Sequence, residues 1–123
     1  MGENPERMEK IPMVLKIGSL NHAKGFIINK LWHQHQIGEK HLPVRFLAYG
    51  YPPRHRHMIS EALSELRHEG VVSIRKKKTG RGSEDHVSIE PSRLDEVRGL
   101  MNAFRETAGL PRIGRDFKTL LPP

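Results

Sequence analysis

Residues 58–89 read MISEALSELRHEGVVSIRKKKTGRGSEDHVSI, and a change of period inside them decides the fold. Ile59, Ala62, Leu63 and Leu66 fall at the 3.6-residue spacing of a helix with one apolar face, leaving Ser60, Glu61, Ser64 and Arg67 on the other. Gly70 suits the position just past the helix end. Beyond it the period falls to two. Val72 and Ile74 alternate with Ser73 and Arg75, and Val87 and Ile89 with His86, Ser88 and Glu90, as in two half-buried strands. Between them KKKTGRGSED reads as a loop crowded with Lys76, Lys77, Lys78 and Arg81, which Gly80 and Gly82 allow to turn back. The expected unit is a helix followed by a hairpin with a basic tip.

Working outward, GYPPR at 50–54 breaks the pattern and supplies a turn, so the long helix is expected to start near Arg54 or His55 and to span about 54–69. Upstream, Phe26, Ile27, Ile28, Leu31, Trp32 and His35 follow at helical spacing from an N-cap at Ser19 or Asn21, which predicts a first helix running to Gly38. The segment HLPVRFLAY, 41–49, is expected to form a short second helix with Pro43 in its first turn. Downstream, Ser92 as N-cap with Asp95 three residues on predicts a further helix, ended by Gly109 and Pro111. Its Leu94, Val97, Met101 and Phe104 are spaced three, four and three, a seam narrow enough to call for a helix partner. A homodimer through that seam is the expectation. The alternative, in which this helix folds back on the first helix of its own chain, uses the same residues.

The chain has 123 residues, enough for one compact domain with tails. The divisions expected are an N-terminal arm at 1–18, a domain at 19–90, the C-terminal helix at 91–109 and a tail at 110–123. Lys plus Arg number 21 against 14 Asp plus Glu, a formal charge of +7. Residues 54–81 hold eight of those cations against three acids, which suits a polyanionic partner. The absence of cysteine excludes disulfides, zinc ribbons and thiol nucleophiles. No apolar run approaches the ~18 residues of a membrane span, and the start ENPERME lacks the basic and apolar regions of a secretory signal. A soluble cytoplasmic protein is expected.

The pattern of MISEALSELRHEGVV, followed by a Gly-containing basic tip and the return strand HVSIEP, resembles the winged helix-turn-helix domain of MarR-like transcription regulators over about residues 22–90. The resemblance implies an α+β, mostly α fold: a three-helix core and a β-hairpin wing, here with an additional C-terminal helix. It also implies double-stranded DNA as partner, a recognition helix in the major groove, a wing at about 75–86 on the neighbouring backbone or minor groove, and commonly a symmetric dimer. The residue chemistry points the same way. Arg54, His55, Arg56 and His57 lie at a helix N-terminus, where backbone N–H groups already favour phosphate. Ser60, Glu61, Ser64 and Arg67 carry groups that discriminate base edges, and Arg75, Lys76, Lys77, Lys78 and Arg81 are expected on phosphates. A lysine-rich loop and a polar helix face are also simply what water solvates, so the reading rests on their coincidence. A winged-helix module bound to structured RNA or to a protein complex is the alternative.

Eight histidines raise a metal hypothesis. The pairs His33/His35 and His55/His57 do not support it, because residues i and i+2 of a helix point about 200° apart. A site built from His33, His41 or His86 with a carboxylate is the remaining form of it, and His35 reads instead as a core or boundary residue. Trp32 reads as core. No phosphate loop follows a strand, and no nucleophile, base and orienting group can be named, so neither an enzyme nor a cofactor is expected.

Overall fold

A computed structural model describes residues 15–114. Residues 1–14 of the expected arm and residues 115–123 of the expected tail lie outside the described residues. The rest is an α+β arrangement of three helices and a three-stranded antiparallel sheet. In order it runs α1 (Leu20–His33), β1 (Leu42–Pro43), a 3₁₀ turn (Val44–Phe46), a second 3₁₀ turn (Pro53–His55), α2 (His57–His68), β2 (Val72–Thr79), β3 (Gly82–Ile89), a third 3₁₀ turn (Pro91–Arg93) and α3 (Leu94–Thr107).

Ser19 begins α1 as expected, its hydroxyl accepting from the His22 N–H at 3.2 Å. The helix stops at His33, five residues before Gly38. Gln36 N–H reaches back to the Leu31 carbonyl and His35 N–H to that of Trp32, a closure that requires a left-handed residue at His35, where φ is +56°. His35 is therefore exposed and off the apolar face where its spacing had put it. Stopping early frees residues 36–38 for the sheet: Gln36 and Gly38 exchange backbone hydrogen bonds with Ile89. The same closure ends α2 at Gly70 and α3 at Gly109, both with positive φ, as expected of those glycines.

The expected second helix is absent. Leu42 and Pro43 pair with Val87 and His86 of β3, and Pro43, at φ −57° and ψ 133°, is extended, so only one 3₁₀ turn is left for Val44–Phe46. Lys30 of α1 holds this turn by donating from Nζ to the carbonyls of Phe46, Leu47 and Tyr49. Leu47 and Tyr51 meanwhile enter the core. The consecutive prolines 52 and 53 form a tight 3₁₀ turn, so α2 starts at His57 rather than at Arg54 or His55. Ser92 likewise does not cap α3. Its hydroxyl and N–H both point to the Glu90 carboxylate, which caps the turn at 91–93.

The sheet order is β1-β3-β2. Val72 opposite Ile89 and Ile74 opposite Val87 face the helices, where α1 supplies Ala23, Ile27, Ile28 and Leu31 and α2 supplies Ile59, Ala62, Leu63 and Leu66. The strands run to the tip, and Thr79 pairs with Gly82 across a turn of just Gly80 and Arg81. Lys76, Lys77 and Lys78, expected in a loop, are thus strand residues.

Helix α3 packs on α1, the second of the two arrangements its seam admitted. Val97 and Met101 are fully buried and Phe104 nearly so, against α1 of the same chain, with Leu94 partly buried beside them. Gly25 makes the crossing possible: a Cβ there would stand 2.5 Å from the Phe104 Cβ. Arg105 Nη1 donates to Asn29 Oδ1 at 3.1 Å and to His33 Nε2 at 2.8 Å, and its Nε donates to the Pro111 carbonyl at 2.6 Å. Buried Asn102 clasps the Ile113 backbone through both its amide atoms. The seam that sequence assigned to a partner is occupied from within.

Candidate nucleic-acid interface

The outward face of α2 presents Ser60, Glu61, Ser64 and Arg67, all exposed, because the period that buries Ile59, Ala62, Leu63 and Leu66 rotates them into solvent. Ser60 donates to the His57 carbonyl at 3.2 Å. Glu65, not singled out from the sequence, is exposed as well, and with Leu20, Glu61 and Ser64 it lines a shallow depression.

The four expected anchors before and at the helix start divide. Arg54 and His57 are exposed. Arg56 is exposed along its length but donates from Nε to the Tyr51 carbonyl at 3.3 Å, and His55 turns in against Gly18. Tyr51 behind them is fixed by the Gly18 N–H at 3.2 Å and the His22 Nδ1 at 2.8 Å. The His22 ring is held below its ordinary pKa by burial and then by His55.

The hairpin carries the cations. Lys76 meets Asp85 at 3.3 Å, Arg75 reaches Glu39 at 3.7 Å and the Gly38 carbonyl at 3.4 Å, and Glu84 is engaged by Arg45 and by His86 Nε2. Lys77, Lys78 and Arg81 have no acidic partner among the described residues. At the hairpin base His41 and His86 meet Nδ1 to Nδ1 at 2.8 Å with rings 78° apart. One of those nitrogens must donate and the other accept, so the contact admits neutral or singly charged pairs only. Burial first, then His86, Lys77 and Arg75, push the His41 pKa down against the opposing pull of Glu39.

His33 lies in the Arg105 contact and His41 with His86 at the hairpin base, so the three do not assemble, and no group of three or more potential ligands able to hold a metal occurs among the described residues. Sequence reasoning missed Arg45 and Glu84. The available signal was the alternation of β3, which puts Glu84 and His86 on one face. No helix among the described residues is long and apolar enough to cross a membrane. Comparison with known proteins returned no matching family model, curated protein or solved structure.

Proposed function

We propose that the chain is a sequence-specific DNA-binding protein of winged helix-turn-helix type, acting as a transcription regulator. What carries the reading is the coincidence of an exposed, mixed-polarity face on α2 with a hairpin whose Lys77, Lys78 and Arg81 lack acidic partners among the described residues. The order of helix, short strand, turn, helix and hairpin supports it, with the turn at 44–49 in place of a regular second helix. In this reading the helix face discriminates base edges while the cations neutralise phosphates. Selection from random duplex-DNA and structured-RNA pools at matched salt tests it. Enrichment of a common duplex-DNA motif is the expected result, and enrichment confined to RNA overturns it.

One observation favours a second reading, a module for structured RNA or a ribonucleoprotein. Burial of Val97, Met101 and Phe104 against α1 removes the seam on which a symmetric dimer, matched to palindromic half-sites, was expected to form.

A further inference from the structure

The cations of the hairpin do not share a face. Residues directly opposite in the ladder lie on one side of the ribbon, so Lys76 and Lys78 continue the side of Val72 and Ile74, while Lys77 continues that of Ser73 and Arg75. Asp85 occupies Lys76, and Glu84, opposite Lys77, is turned to Arg45 and His86. That leaves one lysine without an acidic partner on each side, Lys77 and Lys78, and Arg81 at the turn between them. From Arg75 to Thr79 every residue of β2 is exposed, an extension of about 13 Å at ~3.3 Å per step, while on β3 His86 is buried and Glu84 half-buried, so the free end of the ribbon is its outer part around Lys77, Lys78 and the turn. A hairpin laid flat on one phosphate backbone uses one side. Cations on both sides and the tip fit a concave polyanion with two walls.

Resting on the DNA-binding reading above, we infer that the hairpin enters the major groove of B-form DNA as a two-stranded ribbon, with Lys77 and Lys78 reaching opposite phosphate walls and Arg81 the floor. The groove is about 12 Å wide and ~8.5 Å deep and admits such a ribbon with a cation on each side, where the minor groove is only about 6 Å across. The A-form major groove of RNA is too narrow for side chains to read, which selects DNA. Helix α2 is poorly suited to the phosphate contacts, since its exposed face carries Glu61 and Glu65 against Arg67. The hairpin thereby becomes the principal source of the salt-dependent affinity.

The test uses the full chain with a mixed-sequence DNA duplex and an RNA duplex of the same length. Lys77→Ala and Lys78→Ala, each checked for an unchanged melting temperature, are each expected to reduce the magnitude of the log K against log salt slope by about 0.9, and Lys→Arg at either position to preserve it. Dimethyl sulfate reads both grooves at once, at guanine N7 in the major and adenine N3 in the minor. Arg81→Ala is expected to remove protections at guanine N7. A slope change for only one of the two lysines overturns the two-walled geometry, and protections lost at adenine N3 instead overturn the groove assignment. Either result leaves DNA binding itself standing. Failure of the unmodified protein to bind any DNA duplex, or tighter binding to the RNA duplex, overturns the functional reading and this inference together.

Discussion

Arg105 is where three segments meet, α1 through Asn29 and His33 and the chain after α3 through Pro111, and a guanidinium can only donate. His33 must therefore present an unprotonated Nε2, and its pKa is lowered by burial, then by Arg105 and His35. Those of His22 and His41 are lowered too, both chiefly by burial. With folded values below the ordinary 6.5, the unfolded chain binds more protons just beneath that pH, so stability is fully present above it and falls as pH drops through the folded values. Thermal melts are expected to be flat from about pH 7 to 8 and to decline below about 6.5, and His33→Gln, which keeps an acceptor for Arg105, to give a shallower decline. An unchanged decline would remove His33 from the linkage. On the outward face of α2, Glu61→Ala or Ser64→Ala is expected to alter preference at one or two base positions by roughly 1–3 kcal/mol with non-specific binding nearly intact. Binding curves on single-base operator variants measure this, and equal weakening on all of them contradicts base readout. None of the Arg105 contacts was legible in the sequence, because a lone arginine on a helix reads as solvated and two of its partners, Asn29 and His33, lie 76 and 72 residues away in the chain.

At the scale of elements, Gly25 sets two effects against each other. Alanine in mid-helix gains about 1 kcal/mol of propensity over glycine, but here its Cβ would meet the Phe104 Cβ at 2.5 Å and the Leu100 carbonyl at 3.0 Å. Overpacking at a close crossing costs roughly 1–3 kcal/mol, so Gly25→Ala is expected to lower the midpoint of urea unfolding; a raised midpoint would show that α1 and α3 adjust apart. The strongly periodic elements were readable: α2, both hairpin strands and α3 follow from local spacing, and Gly70 and Gly109 mark their stops. The segment at 41–49 was not. Its apolar residues suit a helix, and only the ladder to Val87 and His86, forty-odd residues on, makes Leu42 and Pro43 a strand. The α3 seam was read as a helix interface with two possible partners, and within the described residues it is α1 of the same chain that meets it. Spacing specifies that a face is buried, and the residue that identifies its neighbour, Gly25, carries no side chain to signal it.

For the whole molecule, filling that seam in cis means the intact chain is expected to sediment near 14.1 kDa at micromolar concentration. A mass near twice that value would place a dimer contact elsewhere, since Met101 is wholly enclosed. Met101→Asp is expected to unfold the domain instead of changing its mass, because an uncompensated buried carboxylate costs on the order of 3–5 kcal/mol; circular dichroism distinguishes a lost fold from a folded monomer. The fastenings along α3 have a further, mechanical consequence. Leu15 N–H is bound to the Thr107 hydroxyl at 2.7 Å, and Ile113 is clasped by Asn102, so both ends of the described chain are moored to one helix at points about 7.5 Å apart along its axis. Tension applied through residues 15 and 113 is taken up by those two moorings before it reaches the sheet, and a load carried on either end leaves the hairpin slack.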